Sequence, residues 1–279
     1  MTQRTAAPHE LTAAGLSLGY ADTTIIDNLD LEVAPGQVTV IVGANASGKS
    51  TLLRGIARLL RPTAGVVTLD GRDVSTLPGK RVATVIGLLP QQPLAPDGIG
   101  VADLVGRGRY PHQGWLRQWT SEDDDIVAEA MAATDTLGLA ARRMEELSGG
   151  QRQRVWIAMA LAQDPDILLL DEPTTFLDVT HQLEVLDLLL ELNRARGTTV
   201  VMVLHDLNLA ARYADHLVVM RAGRIIANGA PAQTLTAGVV LEAFGLEALV
   251  VDDPVCGSPL VVPFGRFHGA PSESDFLLG

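Results

Sequence analysis

The feature that most constrains this chain is a glycine-rich loop between an apolar strand, predicted over residues 37–42, and a helix, predicted over 50–60. The loop fits the pattern G-x-x-x-x-G-K-[ST]. Its glycines let backbone N–H groups converge on phosphate oxygens, and the helix adds its positive N-terminal end. The pattern predicts a nucleoside triphosphate site, with Lys49 on the β and γ phosphates and the Ser50 hydroxyl on Mg²⁺. The binding residues predicted here are Gly43, Asn45, Ser47, Gly48, Lys49, Ser50 and Thr51.

Strands and helices alternate along most of the chain, which implies a parallel sheet covered by helices. Residues 11–42 instead predict short strands separated by turns. Residues 92–118 are rich in Pro, Gly and Arg and predict an irregular segment with one short helix near Val101–Val105. Residues 250–262 predict two strands around a turn. Further strands are predicted over 66–71, 82–89, 167–170, 199–204 and 216–220, and further helices over 121–137, 150–162, 179–195 and 207–213.

An acidic run at Asp123–Asp125 has a structural explanation. Ser121 can cap the helix predicted over 121–137, and the three acids then lie at the positive end of the helix dipole. We interpret this run as helix capping.

Two adjacent acids, Asp171 and Glu172, end an apolar strand, where α/β proteins place their chemistry. Side chains alternate in direction along a strand, so one acid can orient Mg²⁺ while the other faces an attacking water. His205 ends a second apolar strand. A histidine in that place is by itself more often structural than catalytic.

A second anion site is predicted at Ser148, Gly149 and Gly150, which offer N–H groups at the start of the helix over 150–162. The stretch continues with Gln151. A single nucleotide cannot obviously use both this site and the loop at 43–51.

The order of these motifs, with Leu147-Ser148-Gly149-Gly150-Gln151 between the phosphate loop and the acid pair, resembles the ATP-binding cassette ATPases over nearly the whole chain. The resemblance implies a P-loop NTPase cassette of the α/β class. Such a cassette has a RecA-like parallel-sheet core, a small antiparallel β subdomain and a helical signature subdomain. We expect the cassette over 9–246, with the helical subdomain inserted at about 92–160. Residues 247–279 would then form a hairpin-like extension with a frayed tail.

The same resemblance implies roles in ATP hydrolysis. Asp171 is the acid on the Mg²⁺ side, Glu172 the general base, and His205 a contact to the γ-phosphate. Gln91 corresponds to a mobile glutamine that senses Mg²⁺ and the γ-phosphate, although the adjacent Gln92 leaves this assignment open by one residue. Tyr20 corresponds to an aromatic that stacks on adenine.

The resemblance also implies a dimer. In the family, the signature residues Ser148, Gly149, Gly150 and Gln151 would face the γ-phosphate bound by a second copy, head to tail, and Asp178 would help to form the interface. The chain departs from the common family form in three places. Ala44 and Ala46 replace Pro and Gly in the phosphate loop, and Phe176 replaces an Ala beside Asp178, which puts that contact in doubt.

Net charge, motif spacing and the residues present distinguish the possible classes of cassette ATPase. The formal net charge of −12 disfavours binding to nucleic acid. The stretch between Lys49 and Ser148 is too short for the coiled coil of DNA-organising members, and the chain has one cassette where translation-associated members have two. A regulatory module without turnover would typically lack Glu172 or His205. These observations favour the ATPase subunit of a transporter. The six histidines are scattered without metal-ligand spacing, so Mg²⁺ is the expected ion.

Two further stretches of the sequence indicate which cargo the transporter carries. Residues 106–113, followed by Trp115 and Asp123–Asp125, look like ATPases of ferric-siderophore importers, and so does the tail around 253–263. Vitamin B12 and haem importers remain alternatives. No apolar run approaches the ~18 residues needed to span a bilayer. We therefore expect a peripheral subunit at the cytoplasmic face of the membrane, partnered by a permease and by a periplasmic or lipoprotein substrate-binding protein. The permease is expected to dock near Gln91 and 92–118, on Tyr110, Trp115, Leu116 and Trp119.

Overall fold

A computed structural model describes residues 9–114 and 119–265 of the chain. Trp115, Leu116 and the end of the C-terminal tail lie outside the described residues, and so do the expectations that concern them. The strands are β1 Leu11–Tyr20, β2 Thr23–Val33, β3 Val38–Gly43, β4 Ala64–Leu69, β5 Arg72–Asp73, β6 Ile86–Leu89, β7 Ile167–Asp171, β8 Thr199–Val203, β9 His216–Arg221, β10 Arg224–Gly229, β11 Ala248–Asp252 and β12 Pro259–Pro263.

The α-helices, again in chain order, surround these strands, and among the described helices none has the length and apolarity needed to cross a membrane. They are α1 Lys49–Ile56, α2 Gly79–Val85, α3 Val101–Gly106, α4 Ser121–Ala133, α5 Gly149–Ala162, α6 Val179–Arg196, α7 Leu207–Tyr213, α8 Pro231–Thr234 and α9 Ala237–Phe244. A 3₁₀ turn at Arg107–His112 follows α3 directly.

The strands of the described residues form a central sheet in the order β10-β9-β3-β8-β7-β6, an antiparallel sheet in the order β2-β1-β4-β5, and the hairpin β11-β12. In the central sheet the strands from β9 to β6 run parallel, and β10 pairs antiparallel at one edge. The predicted fold class, with a parallel core, a small antiparallel sheet and helices, is confirmed. Strands β11 and β12 pair antiparallel near the C-terminus, where two strands around a turn are predicted. The expected boundaries of the cassette and its helical subdomain stay a prediction.

Side chains of the central sheet alternate between two apolar layers. Val40 and Leu170 pack with the layer that contains α5 and α6, whereas Ile41 and Leu169 pack with the layer that contains α1 and the antiparallel sheet. Because both faces are covered, strands β3, β7 and β8 are buried along their whole length. This layering holds the carboxyl ends of the three strands at one edge, where the loops that follow them meet.

The prediction of a strand over 82–89 is wrong for its first half. Helix α2 occupies Gly79–Val85, and strand pairing with β7 begins only at Ile86. An apolar run is compatible with either state, because periodicity does not separate a short buried strand from a buried helix turn. Here Val82 and Val85, three residues apart, are the buried residues of α2. This spacing fits a helix, so the first half of the apolar run is helical.

Two predicted helix ends are also corrected. The helix after the phosphate loop ends at Ile56, not near residue 60, and Arg58 follows in a left-handed conformation with φ 61°. Helix α4 ends at Ala133 and is capped by Thr120, not by Ser121. The Thr120 hydroxyl accepts from the Asp123 N–H, while the Asp123 carboxylate accepts from the Thr120 N–H at 3.1 Å. This reciprocal pair is a capping box.

Candidate active site

The phosphate loop requires both of the glycines that its motif specifies. It leaves β3 at Gly43, turns through a hydrogen bond from Ser47 N–H to the Ala44 carbonyl at 3.2 Å, and enters α1 at Lys49. A Cβ on Gly43 would lie 2.3 Å from the Met220 carbonyl oxygen. Gly48 caps α1 with φ 101°, which L-residues avoid. The loop can therefore bring its N–H groups to one point only with glycine at these positions.

Ala46 adopts a strained backbone conformation in the phosphate loop. Its φ is 63°, in the left-handed region that glycine occupies without penalty. Such a conformation costs a non-glycine residue roughly 1–2 kcal/mol. The loop keeps its turn in spite of this strain, because strand β3 and helix α1 fix both of its ends.

An open cleft of about 620 Å³ lies over this loop. It collects side chains from the phosphate loop, from the ends of β6, β7 and β8, and from the antiparallel sheet. Its lining residues are Tyr20, Ile25, Asn45, Ala46, Ser47, Gly48, Lys49, Ser50, Thr51, Gln91, Glu172 and His205. The structure thus brings together residues that are spread along the chain from Tyr20 to His205.

Lys49 and Ser47 present polar groups to the loop from buried positions. The Lys49 ammonium donates to the carbonyls of Gly43, at 2.9 Å, and Ala44, at 3.1 Å, which uses two of its three donors. Burial lowers the pKa of Lys49, and the charges of Glu172 and Asp171 oppose that shift. The buried Ser47 hydroxyl has no hydrogen-bond partner within the part of the chain that the structure describes. Such an atom needs a partner, and a phosphate oxygen would supply one.

Ser50 and Asp171 form the oxygen-rich side of the cleft. The Ser50 hydroxyl donates to Asp171 Oδ1 at 2.9 Å. Burial raises the pKa of Asp171; the Ser50 hydrogen bond opposes this shift, and the neighbouring Glu172 adds to it. Over 9–114 and 119–265, no group of three or more His, Cys, Asp or Glu is arranged to hold a metal. A hydroxyl and one carboxylate fit Mg²⁺ that is bound mainly through substrate phosphates.

Glu172 is the convergence point of three donors. Gln91 Nε2 donates to Oε2 at 2.7 Å, the Thr175 hydroxyl donates to the same oxygen at 3.1 Å, and His205 Nε2 lies 2.6 Å from Oε1. Glu172 is 7% exposed and has φ 56°. The contact identifies Gln91, not Gln92, as the glutamine that faces the acid. Sequence analysis did not identify Thr175, although its place three residues after Glu172 is a local signal that could have found it.

The opposite end of the cleft is aromatic and apolar. Tyr20 is 43% exposed, and its hydroxyl accepts a hydrogen bond from Arg54 at 3.1 Å. Ile25 lines the same end. Neither Ile25 nor Arg54 was identified from the sequence. Ile25 comes near Tyr20 through the pairing of β1 with β2, and Arg54 does so when the antiparallel sheet packs on α1. An exposed ring held by its hydroxyl offers a face to a planar group.

The signature residues do not line this cleft. Ser148 and Gly149 are exposed at the start of α5, where the Ser148 hydroxyl accepts from Gln151 N–H at 3.3 Å and the Gln151 side chain accepts from Ser148 N–H at 3.1 Å. The structure therefore keeps Ser148, Gly149, Gly150 and Gln151 apart from the phosphate loop of their own chain.

Asp178 lies on the exposed surface and caps α6 through the His181 N–H at 2.9 Å. Its neighbours Phe176 and Val179 are 77% and 72% exposed. The Gln153 amide donates to the Pro173 carbonyl at 2.9 Å, so the start of α5 is tied to the loop that follows Glu172. Signature, loop and Asp178 thus form one outward surface.

Comparison with known proteins gives one family. The family model described as ABC transporter matches residues 26–175. A probable siderophore transport system ATP-binding protein of Bacillus subtilis is 52% identical over 94% of this chain and 95% of its own length. An achromobactin transport ATP-binding protein of Dickeya dadantii is 54% identical over 92% and 95%. A ferric enterobactin transport ATP-binding protein of Escherichia coli is 51% identical over 93% and 95%.

Solved structures agree with these relatives. An inward-facing, putative metal-chelate type ABC transporter matches with a TM-score of 0.79 and 27% identity, covering 93% of this chain and 99% of that one. A dimeric ATP-binding cassette in a post-hydrolysis state, bound to ADP and phosphate, matches with a TM-score of 0.71 and 29% identity, covering 79% and 98%.

Proposed function

The chain belongs to the ATP-binding cassette family of transporter ATPases, and we propose that within this family it energises import of a ferric siderophore through a membrane permease. One observation carries the proposal. The cleft places a phosphate loop, an Asp-Glu pair and a histidine together, in a chain that is 51–54% identical to relatives named for siderophore transport.

The nucleotide is ATP, and the phosphate loop with Lys49 holds its phosphates. The N–H groups of the loop and the N-terminus of α1 favour negative charge. Lys49 keeps a third donor beyond its two carbonyl contacts. We assign adenine to the exposed face of Tyr20, with Asn45 and Thr51 completing the contacts on the phosphate side.

Mg²⁺ would be held by Ser50 and Asp171, with Gln91 nearby, and would neutralise charge on the β and γ phosphates. The raised pKa of Asp171 is consistent with this role. A buried carboxylate whose charge is poorly compensated by the protein gains from a cation placed beside it.

Glu172 acts as the general base that takes a proton from the attacking water. Its carboxylate is oriented by Gln91, Thr175 and His205. Because Gln91 and His205 line the same cleft as the phosphate loop, both can also contact the terminal phosphate. Phosphate binding would then affect the position of the Glu172 carboxylate through these two side chains.

A second copy of the chain completes each site. Ser148, Gly149, Gly150 and Gln151 supply N–H groups and a hydroxyl at a helix N-terminus that faces outward. We propose that they bind the γ-phosphate held by the partner, head to tail, with Asp178 at the interface, so that the dimer closes around two ATP.

The permease docks near Gln91 and the segment 92–118. The exposed residues of that region include Leu94, Tyr110 and the nearby Trp119, which are 92%, 59% and 43% exposed. Large apolar side chains on an exposed surface suit a partner helix. We place the chain at the cytoplasmic face of the membrane through this contact, in a system that includes a periplasmic or lipoprotein substrate-binding protein.

The cargo is tested by deleting the gene. We expect weaker growth under iron limitation, normal growth with ample iron, and loss of uptake of radiolabelled iron supplied as a siderophore complex. Complementation with the wild-type chain should restore uptake, whereas complementation with Glu172→Gln should not. Normal siderophore uptake with loss of haem or cobalamin uptake would overturn the cargo and keep the ATPase.

A further inference from the structure

The hairpin β11-β12 contacts the helix that begins just after His205. The Asn208 side chain pairs with the backbone of β12: its amide donates to the Val261 carbonyl at 3.3 Å, and its carbonyl accepts from the Val261 N–H at 2.7 Å. One turn later, Arg212 forms an ion pair with Asp253 at 2.6 Å. Both contacts join helix α7 to the C-terminal hairpin.

His205 has little packing of its own to set its position. Its side chain is 48% exposed, and it lies between the end of β8 and Asp206, the N-cap of α7. Helix α7 spans seven residues, which is too short to be stable without tertiary contacts. The place of α7 therefore depends on its anchors. These include packing by the buried Ala210 and Ala211, and the Tyr213 hydroxyl, which donates to Asp187 at 2.7 Å. Asp215, just after α7, donates its N–H to the Val38 carbonyl at 2.9 Å. The two hairpin contacts act together with these.

Hydrogen bonds within the β11-β12 turn hold Asp253 in place for its ion pair with Arg212. One carboxylate oxygen accepts from Val255 N–H at 2.8 Å and shapes the turn between β11 and β12, while the other binds Arg212. The backbone of Asp253 is held by Ser258 at 2.7 Å and by Gly257 at 2.8 Å. Asp253 is 5% exposed. The rigid turn thus presents a carboxylate to α7 in a defined place.

We propose that the C-terminal hairpin is a positioning element for His205, acting through Asn208 and Arg212 on helix α7. Asn208 lies three residues after His205, so a shift of α7 moves the His205 backbone directly. Such a shift would change the contact between His205 Nε2 and Glu172 Oε1, which are 2.6 Å apart. The inference rests on the proposed roles of these two residues in hydrolysis.

The test compares steady-state ATPase activity of Asn208→Ala, Asn208→Asp and Asp253→Asn in the assembled transporter. Because a small misplacement of a catalytic group slows the chemical step more than binding, kcat should fall on the order of 10-fold while KM for ATP stays within about 2-fold. Asn208→Asp keeps the acceptor for the Val261 N–H but places a carboxylate oxygen against the Val261 carbonyl, so its kcat should fall as well. Val255→Ala is the matched control, since its side chain is 82% exposed and its backbone N–H is retained.

A His205→Ala background separates positioning from general stability. Asn208→Ala should add little to the loss of residual hydrolysis there, because its effect passes through His205. Wild-type kcat in Asn208→Ala and Asp253→Asn would overturn the inference. So would a parallel loss of ATP affinity and melting temperature, which indicates a folding defect. Wild-type turnover in Glu172→Gln or His205→Ala would overturn the proposed site as well.

Discussion

Glu172 combines three properties that a generic strand end does not need. It is buried, it has a positive φ of 56°, and it accepts from side chains that belong to three different loops. Strained backbone persists where the surrounding structure determines it, and it concentrates at functional sites. The Glu172 carboxylate is thus held in place, as its proposed role as general base requires.

Glu172→Gln should keep ATP binding and lose hydrolysis by on the order of 10²–10⁴-fold, because the amide cannot take a proton. Since the neutral side chain also removes a negative charge near the phosphates, ATP should hold the variant as a dimer. Size-exclusion chromatography with and without ATP measures this. Glu191→Gln, at an exposed position on α6, is the control. Near-normal turnover would exclude Glu172 as the base.

Asp171→Asn should raise the melting temperature without ATP and Mg²⁺, while it weakens Mg²⁺-dependent ATP binding. The pKa of Asp171 is raised by burial, so the folded chain retains a proton that the unfolded chain releases as pH rises. Stability is therefore lost as pH rises from the ordinary pKa of an aspartate through the raised value, and it stays lower above that.

The asparagine variant should lack this part of the pH dependence, which melting curves at several pH values would detect. Asp97→Asn, at an exposed loop position, should change neither property. A lower melting temperature for Asp171→Asn at neutral pH would show that the charge stabilises the fold.

At the scale of elements, the helices of the signature region are joined by a buried ion pair. Arg109, in the 3₁₀ turn after α3, donates to Asp123 of α4 at 2.9 Å and to the Ala162 carbonyl at the end of α5, also at 2.9 Å. Burial alone would raise the pKa of Asp123, but hydrogen bonds from Arg109 and Thr120 outweigh it, and the pKa is lowered. The pair is therefore ionised at neutral pH, and it connects the exposed segment proposed for docking with the signature helix.

Arg109→Ala should destabilise the chain by about 3–5 kcal/mol, because it leaves Asp123 buried without its partner. The neighbouring Arg107 is exposed, and Arg107→Ala should stay within about 0.5 kcal/mol of wild type. Chemical denaturation of both variants measures the difference. Equal stabilities would show that water replaces the guanidinium and that the pair does not hold the helices together.

At the scale of the whole molecule, the two proposed anion sites lie on different parts of the surface. The phosphate loop opens into the cleft, whereas Ser148 and the exposed Phe176 and Val179 form a surface on the outside. This placement supports the proposal that one chain carries half of each of two composite sites, which a head-to-tail dimer would bring together.

Lys49→Ala and Ser148→Arg should each be inactive. Lys49→Ala loses the contact to the phosphates of its own nucleotide, and Ser148→Arg blocks the site that the chain presents to its partner. Mixed together in the assembled transporter, they can build one intact site per dimer, and ATPase activity should partly recover. The arginine also removes a helix cap worth about 1 kcal/mol, so its melting temperature is the control. No recovery despite confirmed heterodimers would contradict independent composite sites.

Local motifs in the sequence predicted most of the proposed binding residues. The phosphate loop, the Asp-Glu pair and the signature each need particular residues at fixed spacing, because backbone N–H groups and helix ends form from neighbours in the chain. Alternating strands and helices determined the parallel core. Where an apolar run fits either state, as at Val82–Val85, the local pattern was insufficient.

Only the tertiary structure decided which distant groups meet. The choice of Gln91 over Gln92, the pairing of Arg109 with Asp123, and the contact of the C-terminal hairpin with α7 all depend on how separate elements pack. The spacing of side chains within one element does not predict contacts between separate elements. They arise when burial of the apolar faces fixes the elements against one another.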